Sequence, residues 1–319
     1  MLKDTARLLY IPLTLLATLL AFIFGANNMG LTNYGFTSSG PRRRILFASS
    51  SGLLLGAALE GYKMERSLVN GIVPGFSLNV SGSLLLANLI IMAAATHLRI
   101  PVSMTMMLVL SSIPVGLASG LHVDWNPVTL NVLAWIASPI LMLLLMLIIY
   151  RLSILAYRKL SLLQIAQIRL PTIVIVTFMI AYVLGANNIG LIHSLTASRN
   201  TAYHVPAAIL LGLAAVMGGI LFGKGTTETL GIRIVSISPN ATLTIQLSVA
   251  VVMWILTQIA VPISLTQLLI SGAICIYFTR SIAMINTGLI KRLILFWIMA
   301  SASVTVLAPA FVVLLIGLA

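Results

Sequence analysis

The chain has 319 residues, of which 60% are hydrophobic and only 7% charged, and its mean hydropathy is +1.13. Water-soluble domains carry about 25% charged residues, so this composition excludes a soluble globular protein. Eighteen Lys and Arg against five Asp and Glu give a net charge of +13; in so apolar a chain these basic residues read as membrane loop anchors, and no nucleic-acid partner is expected.

A helical crossing of a bilayer core ~30 Å thick takes roughly 20 apolar residues. Uncharged stretches between basic punctuation place ten crossings, at 8–41 (interrupted), 45–62, 78–98, 101–121, 128–150, 170–198 (interrupted), 203–222, 240–258, 262–279 and 293–318. These runs are too long for barrel strands of roughly ten residues and lack their period-two alternation. The expected fold is an all-α polytopic membrane protein. With the N-terminus outside, only Lys3, Arg7, Lys63, Arg66 and Arg199 fall outside, leaving thirteen basic residues inside, the bias of a multi-pass cytoplasmic-membrane protein. Segments 101–121 and 262–279 carry Pro, Ser and Thr. They are expected to cross, or to form paired half-helices that together complete one crossing.

Gly25-Ala-Asn-Asn-Met-Gly-Leu31 recurs as Gly185-Ala-Asn-Asn-Ile-Gly-Leu191, and Pro101-Val-Ser-Met-Thr105 recurs as Pro262-Ile-Ser-Leu-Thr266. Two motifs repeated in the same order and nearly the same spacing identify a duplication. Its halves are 1–150 and 170–319, joined by a basic cytoplasmic connection at 151–169. An odd number of spans per half makes the repeats inverted, an architecture of secondary transporters.

Each Gly-Ala-Asn-Asn motif lies inside an apolar helix. Glycine weakens a helix and admits close backbone approach, and Asn competes for backbone hydrogen bonds. Together they predict a broken helix whose freed groups line a protein cavity, with a half-helix N-terminus suited to an anion. The other reading is a glycine packing notch with asparagines bridging neighbouring helices. Polar residues follow each motif: Thr32, Asn33, Thr37, Ser38 and Ser39, then His193, Ser194, Thr196, Ser198 and Asn200. Ser103 with Thr105, and Ser264 with Thr266, offer neutral hydroxyls, which share one side only in extended backbone or at a helix start.

Acidic residues are nearly absent. Glu60 ends a span and is either a cavity carboxylate or an interfacial partner of Lys63; Glu65 lies close by, Glu228 in a loop. The four histidines show no metal-ligand spacing, and no metal site is expected. The single cysteine, Cys275, permits no internal disulfide or Cys-based cage and reads as a packed core residue. No phosphate-binding loop or nucleophile–base set is present, so the chain reads as no enzyme and any pumping must draw on an existing gradient.

At the repeated motifs the chain resembles the inorganic phosphate transporter (PiT) family. Its members carry duplicated Gly-Ala-Asn-Asp signatures and Pro-Val-Ser-Thr-Thr-His-like segments in inverted repeats. The resemblance covers about 20–121 and 180–281. It implies a cation-coupled secondary transporter of phosphate in which Asn27, Asn28, Asn187, Asn188, Ser103, Thr105, Ser264 and Thr266 surround the anion. Asn28 and Asn188, with Glu60, are the positions for cation coupling, and the coupling ion is sodium or a proton. Asn28 and Asn188 stand where the family has Asp, and Met106 and Gln267 where a His is common. An ionised carboxylate accepts the proton that phosphate retains but repels sulfate, so the two Asn shift the site toward a fully deprotonated oxyanion. A sulfate permease of the same fold is therefore an alternative. Another is a passive anion channel or transport-inactive paralogue. Beyond membrane lipid, the only macromolecular partner expected is a second copy within the bilayer.

Overall fold

The computed structural model describes residues 2–33, 42–196, 201–226, 239–280 and 286–317. Thr37, Ser38, Ser39, Ser198, Asn200 and Glu228 lie outside the described residues. The elements are α1 (Leu2–Asn28), α2 (Arg42–Glu60), α3 (Leu78–His97), α4 (Met104–Ala118), α5 (Trp125–Tyr157) and α6 (Leu162–Leu184). They continue with α7 (Gly190–Ser194), α8 (Thr201–Phe222), α9 (Pro239–Gln258), α10 (Leu265–Arg280) and α11 (Thr287–Gly317). Among the described residues eight helical stretches are long and apolar enough to cross a bilayer, and two shorter ones, Met104–Ala118 and Leu265–Tyr277, make up the ten. The protein is an all-α, multi-pass membrane protein.

Two of the ten stretches are short, as the half-helix alternative for 101–121 and 262–279 requires. At 15 residues, α4 extends only ~22 Å at 1.5 Å per residue, less than the ~30 Å core, so it does not cross alone. It runs back against α3, with Asn88 of α3 donating to the Ser111 hydroxyl of α4 at 3.4 Å. The α9–α10 pair repeats this hairpin in the second half.

Helix directions show the inversion. α1 runs alongside α8 in the same sense, Gly25 against Ala215 and Met29 against Gly219, and α2 runs with α6, Gly52 against Phe178 and Gly56 against Tyr182. Consecutive crossings alternate, so first helices of the two halves that pair with opposite second helices must themselves point in opposite directions. A Cβ on Gly25 would overlap the Ala215 carbonyl, and one on Gly185 the Leu53 carbonyl. These crossings are backbone on backbone, the small-residue packing that membranes favour.

The sequence halves are not the packing units. α5, from the first half, packs on α9 and α10, whereas α11, from the second, packs on α3 and α4. The Trp135 indole donates to the Pro262 carbonyl and the Trp297 indole to that of Pro101, both at 2.9 Å. One packing group is therefore α1, α3, α4, α8 and α11, and the other α6, α9, α10, α2 and α5, with α2 packed on α8 where the groups meet. The expected connection at 151–169 is mostly helix: α5 continues to Tyr157, and a Ser161–Gln164 capping box starts α6. Four Leu and Ile side chains of α5, Ile136, Ile140, Leu144 and Ile148, are exposed at helical spacing, as a lipid-facing wall requires.

Candidate functional site

The Gly-Ala-Asn-Asn stretches stay helical but change pitch. After Asn28 the helix tightens to a 3-10 turn over Met29–Asn33, and Gly185–Ile189 forms a π turn between α6 and α7. The expected breaks lie instead at the Pro-x-Ser-x-Thr segments, which are non-helical at 100–103 and 261–264. The reason is visible in the first asparagine of each motif, which bonds a neighbouring hairpin rather than its own backbone.

Asn27 donates to the Thr96 hydroxyl and the Ile100 carbonyl, both at 3.0 Å, and accepts from the Val102 amide at 3.0 Å. Asn187 repeats this with Thr257 at 2.9 Å, the Val261 carbonyl at 3.2 Å and the Ile263 amide at 3.1 Å. Both side chains are fully buried. An amide nitrogen has two protons, and both are committed in Asn27 and Asn187. These residues clamp the hairpin tips; the glycines beside them are the packing notch. Of the two readings open from sequence, bridging describes the first asparagine of each pair.

The second asparagine differs. Asn28 donates to the Asn27 carbonyl at 3.2 Å, whereas the buried Asn188 amide nitrogen has no hydrogen-bond partner. The 3-10 turn 29–33 packs on α6, and α7 packs on α1, so the two motifs pass each other inside the protein.

Each clamped tip starts a helix. Ser103 caps α4 by accepting from the Met106 amide at 3.3 Å, and Ser264 caps α10 by accepting from Gln267 at 3.3 Å. Their hydroxyls meet those of Thr105 at 3.1 Å and Thr266 at 2.9 Å. All four residues are buried. First-turn amides of a helix have no intrahelical acceptor, and the dipole makes that end positive. Each tip thus offers free N–H groups and two hydroxyls, with no carboxylate in the motif. At the position after Thr266, Gln267 donates to the Trp135 carbonyl at 2.8 Å while its own oxygen is buried without a partner.

Glu60 belongs to a bridging network. It accepts from Lys63 at 2.9 Å, the Gln258 amide at 2.7 Å and the Tyr182 hydroxyl at 2.9 Å, tying α2 to α6 and to the α9–α10 tip. Beside it lies a cavity of about 520 Å³ lined by Lys63, Arg66, Asn126, Asn131, Gln258 and Val261 among others. Asp124 lines it too, and it touches that tip at Val261. Sequence reading missed a further cluster: His193 and His204 converge on Glu65. With the residues 11 and 128 positions apart, no linear spacing could reveal it.

Comparison with known proteins shows what the chain is similar to. Residues 169–308 match the model of the phosphate transporter family. A Methanocaldococcus jannaschii protein named "Putative phosphate permease" is 25% identical over 287 residues, 88% of this chain and 89% of its own. A Pyrococcus furiosus protein of the same name is 30% identical over 106 residues, 33% of this chain and 26% of its own. A solved structure named "The sodium-dependent phosphate transporter" superposes with a TM-score of 0.83, over 96% of this chain and 98% of that one, at 19% identity. The fold is shared.

Proposed function

We propose, from the premise that this chain is a divergent member of the phosphate transporter family, that it carries inorganic phosphate across the membrane, driven by a sodium gradient. The observation that carries this reading is the pair of matched tips, each with a helix start and a Ser–Thr hydroxyl pair, together with a buried Asn188 amide that lacks a partner. Positive helix ends, hydroxyls and amides meet the anion's charge, and the Asn28 and Asn188 carbonyls accept the proton phosphate retains. Arg66 in the adjoining cavity, whose lining also holds Asp124 and the Glu60-paired Lys63, is the cation there that attracts an anion. Rocking of the two interleaved bodies exposes the site to each face in turn.

Sodium is favoured over a proton because the motifs offer neutral oxygens that can ligate it, while the oxygens of Glu60 are occupied by three donors. The relative named as sodium-dependent supports the same choice. The test is uptake of radiolabelled phosphate into proteoliposomes. An inward sodium gradient should accelerate uptake, a pH gradient should not, and excess unlabelled sulfate should leave it unchanged. Competition by sulfate would identify a sulfate permease, gradient-independent flux a channel, and no flux from folded protein an inactive paralogue.

A further inference from the structure

None of the three residues of the Glu65 cluster belongs to the hydroxyl tips. Glu65 comes from the Gly61–Arg66 turn, His193 from α7 and His204 from the start of α8. The Glu65 Oε1 atom lies 3.6 Å from His193 Nδ1 and 3.3 Å from His204 Nδ1, and one donor atom from each residue falls within 4.8 Å of the others. The two imidazoles meet edge to face at 4.4 Å. His193 is 1% exposed, and neither of its ring nitrogens has a hydrogen-bond partner; nor does His204 Nε2.

Burying an imidazole whose Nε2 has no partner and whose Nδ1 reaches the Glu65 carboxylate only at 3.6 Å is costly, and the backbones of Gly61 and Gly190 touch beside it. A bound cation removes that cost. With bonds of about 2.0–2.2 Å, a tetrahedral zinc ion separates its ligand atoms by ~3.4 Å, close to the Glu65–His spacings. Two imidazoles and one carboxylate suit zinc and its d-block neighbours, whereas sodium, calcium and magnesium favour oxygen ligands. We propose that Glu65, His193 and His204 form a binding site for a zinc-class divalent cation, with a fourth position open to solvent beside the partly exposed Glu65. Such an ion would tie the first sequence half to the second. It would also fix the turn that carries Lys63 and Arg66 into the cavity.

Co2+ added to the purified full-length protein in detergent tests this without any uptake assay, so its outcome is independent of the phosphate reading. The expected result is one equivalent bound, an intense visible band of low-coordinate cobalt, its loss on adding one equivalent of Zn2+, and a thermal midpoint raised by Zn2+. Glu65→Gln and His204→Ala should each weaken binding at least tenfold while keeping the metal-free midpoint. Absence of the band, or binding unchanged in a folded variant, would overturn the proposal; if one variant fails to fold, the other decides.

Discussion

Asn187→Ala is expected to lower the thermal midpoint sharply, whereas Asn188→Ala leaves it nearly unchanged. The first substitution strips partners from the Ile263 amide and the Val261 carbonyl. Each buried group left unpaired costs about 1–3 kcal/mol, so the pair costs about 2–6 kcal/mol. Water cannot easily replace the amide, because Val261 and Ile263 are buried. Asn188 has no such duty: its amide nitrogen bonds nothing, and its loss should appear in phosphate binding. The measurement is thermal unfolding of both variants in one detergent. Equal midpoints would mean that Asn187 does not hold the α9–α10 tip. The same contrast is expected between Asn27 and Asn28, reduced because Asn28 also bonds Asn27.

Thr105→Val and Thr266→Val should do the reverse, preserving the fold while weakening transport. Each change is close to isosteric and deletes one hydroxyl that faces its serine partner at the start of α4 or α10. The serines still cap their helices, since the caps use Ser103 and Ser264 oxygens. A hydrogen bond to a charged group contributes about 1.5–3 kcal/mol, so each variant should raise the KM for phosphate by about 10- to 150-fold. Labelled uptake by reconstituted protein of verified thermal midpoint gives the number. Two unchanged KM values would remove the hydroxyl tips from the transport site.

The sequence carried the architecture further than the site. Spans, duplication and inversion were readable because hydrophobic length and two repeated motifs are linear signals. Span 101–121 reads longer than the helix it holds because its apolar run continues through the non-helical tip 100–103, between the end of α3 at His97 and the Ser103 cap of α4. The interleaving of α5 and α11 with the opposite hairpins had no linear signature, since a lipid-facing helix reads the same in either body. Asn27 and Asn28 looked equivalent as a dipeptide. Adjacent helical residues point about 100° apart, which sends Asn27 into the hairpin tip and leaves Asn28 bonded only to Asn27. The clamp became visible only once Val102 and Ile100 stood opposite Asn27 in space. Glu60 could be placed beside Lys63 from sequence, but the contacts from Gln258 and Tyr182 come from 198 and 122 residues away.

Arsenate, a tetrahedral analogue of phosphate with an anomalous scattering signal, gives the most direct test. In crystals grown with it, one arsenic peak per chain should lie between the two tips, its oxygens within hydrogen-bond reach of both the Thr105 and Thr266 hydroxyls. Arsenic bound at one tip alone, or at neither, would contradict a single site shared by the two inverted halves.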